Sequence, residues 1–328
     1  MALPVCWPNM PHKGFFTQSA VVLLREPPQL HELEAKLGAF SVVRSVPESE
    51  NWEIAGPSLI VAYRPDVNGY VSVDIVSRPW PDDMGDPAAD NLVFSAWAMG
   101  HFGPCVFPGN LQRASEHSWT WEAGRSIAVG HQGFLRIRSS YIFGAEKDAK
   151  VLPQDYDALE ELRFVTRLAQ VLLQIPEAIC YFNPNGEILM PADRVDQVMS
   201  RFLSGGVPAL EVWTNVRFFD LGVPQWLFMD TVGMGQLDLP DQEIFFPSER
   251  YEPSEIDGFL RNISLYILQK GQVIRDGDTV AGPGGISWQG HVIDEGFTAP
   301  PRSVLRWFPL DGSTPPDELR SMLQKPAK

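Results

Sequence analysis

The chain has 328 residues, 44% of them hydrophobic and 20% charged, a globular composition long enough to bury a sizeable core without disulfides or metals. Its 26 Lys and Arg stand against 41 Asp and Glu, a net charge of −15, and such a surface repels nucleic acid and anionic membrane, whose recognition needs a basic face. No run reaches 18 apolar residues, and the opening MALPVCWPNMPHKG lacks the basic start and apolar core of a secretory signal, so a cytoplasmic protein is expected.

In chain order, residues 15–24 (FFTQSAVVLL) read as a strand leading into a helix over 30–38. Residues 58–65 and 70–79 are β-rich runs joined through Asp66–Gly69, a hairpin signal. Residues 80–90 are a loop broken by Pro and Gly, and 90–103 a short apolar helix ending near Gly100. The second part of 126–143 alternates like a buried-edge strand and opens a new unit. Over 155–175, Leu159, Leu162, Val165, Leu168, Leu172 and Ile175 recur at helical spacing, with Asp155 as cap and Pro176 as stop. A strand at 179–182, a turn at 183–186 and a helix over 191–203 follow. Residues 209–219 and 225–234 read as strands paired around Asp220–Pro224. A second strong helix covers 252–271, opening at Ser254 and closing at Gly271. Residues 273–285 and 290–295 are strands or a hairpin, and the Pro-rich tail after Asp311 is expected to fray.

Hairpins are as frequent as crossovers in this order, which predicts an α+β fold with mixed or antiparallel sheets and helices packed on them. Two pseudo-equivalent halves in one body are expected: 1–147, with a loop-rich insert at 80–125, and 148–328.

Charge is uneven along the chain. Residues 1–150 carry 16 acidic and 12 basic side chains, and the remainder 25 and 14. Nine acids lie within 220–260 (Asp220, Asp230, Asp238, Asp241, Glu243, Glu249, Glu252, Glu255 and Asp257), against Arg250 alone. Solubility explains part of such a surplus; steering of a basic protein partner is the functional reading. Asp220, Asp238, Asp241, Glu243, Glu249, Glu252 and Glu255 are therefore candidate partner-binding residues. Trp80, Trp119 and Trp121 join them, because they fall beside loops, where aromatics serve as interface anchors or pack an irregular insert.

Catalytic signals are sparse. Cys6, Cys105 and Cys180 are odd in number and far apart, without metal-ligand spacing, so buried free thiols are expected. His117 and His131, with Glu116 and Glu122, fit no ligand pattern and read as packing residues. Arg136 and Arg138 share a strand face and could grip a phosphate or carboxylate, or pair with acids on a neighbouring strand; the surplus of carboxylates favours pairing. Asp276-Gly-Asp278 offers two carboxylates where a hard cation wants several oxygens, and turn chemistry explains it. Gly282-Pro-Gly-Gly285 has neither the Lys nor the following helix of a phosphate loop. No metal or organic cofactor is expected.

The C-terminal third resembles a bacterial domain of unknown function, numbered 4261. The blocks that carry the resemblance are Thr231-Val-Gly-Met, Leu239-Pro-Asp-Gln-Glu-Ile-Phe-Phe, the helix to Tyr266-Ile-Leu, and Val273-Ile-Arg-Asp-Gly-Asp-Thr-Val280. The segment Gly186 to Leu203 is also similar to the family's middle. The resemblance implies a cytoplasmic protein of the immunity type, which binds and neutralises a toxin delivered by a bacterial secretion system, type VI among them, and it carries no catalytic residues. The expectation is thus a non-enzymatic immunity protein whose partner is a cognate, basic protein toxin such as a nuclease, with no nucleic acid or membrane partner. The alternative is a small-molecule-binding protein or enzyme using the Arg136/Arg138 face.

Overall fold

The computed structural model describes residues 13–145 and 149–323. Cys6, Lys147 and the last residues of the Pro-rich tail, 324–328, fall outside the described residues. The fold is α+β and divides into two compact units between Trp213 and Thr214.

The N-terminal unit holds an antiparallel sheet of seven strands: β1 (Gln18–Leu24), β2 (Val42–Val46), β3 (Ser58–Arg64), β4 (Gly69–Val76), β5 (Gly133–Ser140), β6 (Ala178–Asn183) and β7 (Ile188–Met190). Their order across the sheet is β2-β3-β4-β5-β1-β6-β7. Its helices are α1 (Leu30–Lys36), α2 (Asn91–Ala98), α3 (Asn110–Glu116), α4 (Gly124–Ile127), α5 (Ala158–Leu172) and α6 (Ala192–Gly205). Successive residues of a strand face opposite sides, so fully buried β1 and β5 mark a sheet covered on both faces. Helix α5 lies against β1, β5 and β6 with Leu162, Val165, Leu168 and Leu172 buried. Val21, Leu23, Phe134 and Phe182 build a second layer with Trp80, Trp97 and Phe102.

This topology corrects three expectations. β5 is central, flanked by β4 and β1, and is not an edge. The break does not fall between 147 and 148, because β6 pairs with β1 across that point and residues to Trp213 belong to the first unit. Asp157, not Asp155, caps α5 by accepting from the Leu159 and Glu160 N–H groups, while Asp155 pairs with Arg64.

The C-terminal unit holds a six-stranded mixed sheet of β8 (Asn215–Asp220), β9 (Trp226–Val232), β10 (Asp241–Pro247), β11 (Thr279–Ala281), β12 (Ser287–Ile293) and β13 (Val304–Pro309), with α7 (Pro253–Lys270) and α8 (Asp317–Leu323). The order is β11-β12-β13-β10-β9-β8, with β10 and β13 parallel. α7 opens one residue earlier than Ser254, at Pro253, where Glu255 reaches back to accept from the Glu252 N–H, and it ends at Gly271, whose φ is +78°. Its buried stripe is Ile256, Phe259, Leu260, Ile263 and Ile267. After Asp311 the chain does not simply fray: α8 buries Leu319 among Phe228, Phe245 and Trp226.

Candidate functional site

Two sets of charges that look functional in the sequence are internal struts. In the C-terminal unit, register places Arg217, Asp230, Glu243 and Arg306 side by side across β8, β9, β10 and β13. All four are buried. Arg217 donates to Asp230 through Nε (2.9 Å) and Nη2 (2.7 Å), and Arg302 Nη2 adds a bond of 2.5 Å. Burial pushes the Asp230 carboxyl up, but Arg217 and Arg302 outweigh it and hold it below the ordinary carboxylate range. Arg306 Nε donates to Glu243, whose other oxygen accepts the Phe297 N–H. Asp241 accepts from the Thr231 hydroxyl (2.8 Å) and the Met234 N–H (3.2 Å), and burial pushes its pKa up to about 6. Asp241 and Glu243 therefore cannot meet a partner, a correction to the charge-based expectation: their partners come from 302 and 306, outside the acidic stretch.

In the N-terminal unit Asp74 on β4 lies directly opposite Arg136 on β5. It accepts from Arg136 Nη2 at 2.7 Å and from Arg138 Nη2 at 3.0 Å. The same Nη2 groups also donate to the Trp52 and Ile54 carbonyls, and the Nη1 groups of Arg136 and Arg138 to those of Glu53 and His101. Both arginines are buried and spent on the fold, which is the pairing reading rather than the phosphate grip. Glu161, another buried acid of this unit, accepts from Tyr156 Oη at 3.0 Å; burial pushes it up, against the hydroxyls of Thr17, Tyr156 and Tyr141.

The tryptophans separate. Trp80 is 4% exposed and forms the centre of the aromatic layer, its Nε1–H donating to Asn110 at 2.9 Å, so it is not an anchor. Trp121 is half-buried against the same cluster. Trp119 is exposed, with the Arg125 guanidinium 4.9 Å above its ring. His131 is buried; Nε2 accepts the Trp80 N–H at 2.7 Å, Nδ1 meets the Ala128 carbonyl, and burial lowers its pKa, which fixes a neutral ring. Asp276 and Asp278 accept the N–H groups of Val292 and Arg275, the turn chemistry expected. Among the described residues no three His, Cys, Asp or Glu are grouped so as to hold a metal.

Of the remaining acids, Asp220, Asp238, Glu249, Glu252 and Glu255 are exposed. Glu249, Glu252 and Glu255 follow one another from the end of β10 into α7; Asp220 and Asp238 lie at other turns. Glu255 also lines a groove of about 490 Å³ between α7 and the edge strand β11. Its helical wall is Glu255, Gly258, Asn262 and Tyr266, a stripe at three- and four-residue spacing beside the buried face. Its floor is Phe259 and Ile263, and its far wall runs from Val280 to Pro283. Gly258 lowers this wall, since a Cβ there would meet nothing within 4 Å. Gly282 is needed for space, because its Cβ would sit 2.6 Å from Trp288 and 2.8 Å from Phe259. Charge alone pointed to Glu255. The groove's apolar part was missed, although a glycine inside a strong helix, costing about 1 kcal/mol relative to alanine, was a usable signal.

Residues 230–308 match the family model of a domain of unknown function, DUF4261. No curated protein and no solved structure matches the chain. The DUF4261 segment takes in β10, α7, β11 and β12, and hence both walls of the groove. It also contains Asp230, Asp241, Glu243, Arg302 and Arg306, the charges that lock its sheet. Gly186 to Leu203, likened to the family above, lies outside the matched residues.

Proposed function

We propose that this chain is an immunity-type binding protein that neutralises a basic protein toxin by engaging it through the DUF4261 segment. The observation that carries the reading is the open, apolar groove between α7 and β11 with exposed Glu255 on its wall, and with exposed Glu249 and Glu252 in the segment that leads into α7. Apolar concavity rewards a partner's side chains with burial, and an acidic rim selects a basic protein and speeds its approach. The segment as a whole has twelve acidic and six basic residues, the same sign as its rim. The non-enzymatic part of the reading is supported by the uses of the charged strand residues: Asp74, Asp230 and Glu243 are paired with Arg136, Arg138, Arg217, Arg302 and Arg306, as in a structural core.

The test is co-expression in bacterial cells with the product of the neighbouring gene. Restored growth and a stoichiometric complex that weakens with salt are expected. Unrelieved growth arrest with no complex overturns the proposal.

A further inference from the structure

The groove has a polar edge as well as an apolar floor. Among the described residues β11 is the last strand of its sheet. Gly282 N–H donates to the Ile286 carbonyl, a hydrogen-bonded position of the antiparallel ladder; at the head of the strand Gly290 N–H donates to the Asp278 carbonyl while the Gly290 carbonyl accepts from Gly277, so 277 and 278 face Gly290 as a bulge. Val280, opposite Trp288, falls in the same phase. Thr279 and Ala281 therefore point their N–H and C=O groups away from β12, and both residues are exposed. Proteins ordinarily guard such an edge with Lys, Pro or a bulge; the bulge here ends before Thr279, and Thr-Val-Ala itself carries neither Lys nor Pro.

Side-chain direction ties this edge to the groove. Trp288 packs on Phe259 of α7 with ring centroids 5.7 Å apart, so Trp288 and its register partner Val280 both face the helix. A strand laid against β11 would place the residue opposite Val280, and those two positions before and after it, on that same face. Those side chains would enter the space bounded by Gly258, Asn262 and Tyr266. Glu255 is the one charged residue among those lining the groove.

Building on the binding role proposed above, we infer that the partner docks as an added β-strand on β11. It is an extended segment hydrogen-bonded to Thr279 and Ala281, whose every second side chain faces α7: these are apolar along the floor, with a Lys or Arg in the same phase at Glu255.

The probe is a synthetic seven-residue peptide alternating in face, Lys-Thr-Val-Thr-Val-Thr-Lys, whose odd positions share one side. A block peptide of the same composition, two lysines, three threonines and two valines in that order, is the control. Both are titrated into the full chain while amide exchange is followed by NMR. The alternating peptide is expected to bind at least ten-fold tighter than the block peptide and to slow exchange at Thr279 and Ala281 at least ten-fold. G258F fills open space on a helix that tolerates it, and should cut affinity ten-fold or more with an unchanged circular dichroism spectrum. E255Q should cost a few-fold and flatten the salt response, and A281P, which deletes one edge N–H, should lower the protection. No binding, equal binding of the two peptides, or full binding to folded G258F overturns the inference. The two readings fail separately: a toxin neutralised equally by wild type and G258F removes strand addition and keeps immunity. Edge binding of the peptide without neutralisation does the reverse.

Discussion

Asp74→Asn should be among the most damaging single-atom changes in the N-terminal unit. Asp74 has no exposed surface and is the one carboxylate bonded to both Arg136 and Arg138, which are equally buried. Even with Asp74 present, burial and then the neighbouring Arg136 push the Arg138 guanidinium down to about 9, so the site is already strained for anionic charge. Removing the carboxylate leaves two cations in the core, a change that costs roughly 3–5 kcal/mol for a single broken buried pair. The carbonyls of Trp52, Glu53, Ile54 and His101 still accept from the guanidiniums and keep the loss inside that range. About 4 kcal/mol is a large part of a domain's total of roughly 5–15, and lowers Tm by about 8–16 °C for a unit of this size. Urea unfolding followed by tryptophan fluorescence measures it. Adding Arg138→Met to the Asp74→Asn variant removes one surplus charge and should recover at least about 1 kcal/mol. Glu160→Gln, which breaks the half-exposed pair with Arg163, should change stability by less than about 1 kcal/mol. A loss below about 1 kcal/mol in Asp74→Asn, or no recovery in the double variant, would refute the reasoning.

The C-terminal unit should respond to pH through Asp241, whose folded pKa is raised to about 6; the folded state holds its proton more tightly than the unfolded chain, so stability falls as pH rises from about 4 to about 6. Asp241→Asn should flatten that decline, worth up to about 3 kcal/mol at roughly 1.4 kcal/mol for each pH unit, in urea titrations at pH 4.5 and 6.5. His101 works the other way: burial lowers its pKa to about 4, so stability is lost as pH falls from about 6.5 towards 4, and His101→Phe should remove that slope in the same assay. Gly282→Ala forces a Cβ against Trp288 and Phe259 and should cost about 1–3 kcal/mol, whereas Gly258→Ala, which meets open space within a helix, should gain up to about 1 kcal/mol, both read by thermal unfolding.

The sequence discloses what is local. α5 and α7 show their buried stripes at helical spacing, and the β3–β4 and β8–β9 hairpins show theirs as two runs about a turn. What needs a distant partner was hidden. The unit boundary was placed too early because nothing around residue 178 says that β6 will pair with β1. β10 was read only as part of a resemblance, since two acids in Asp241–Pro247 look like a turn until Arg302 and Arg306 arrive to neutralise them. Trp80 follows a proline-broken loop, and only the folded layer of Trp97, Phe102, Phe134 and Phe182 shows why it is buried.

The same long-range pairing changes what the acidic stretch can mean. Nine acids against Arg250 would make a strongly steering surface if all of them reached solvent. Asp230, Asp241 and Glu243 are neutralised inside the sheet by Arg217, Arg302 and Arg306, and Asp257 is paired with Arg261 one turn along α7. The buried acids spread no field at the surface, because each sits within a bond length or two of its countercharge. What remains is Asp220 and Asp238 at separate turns, and Glu249, Glu252 and Glu255 together where α7 begins. The exposed charge is thus smaller than the count suggests, but Glu255 stands on the wall of the groove, where an approaching basic segment would also find apolar surface and, among the described residues, the edge strand β11. Charge at that position selects and orients, while the apolar floor supplies the affinity.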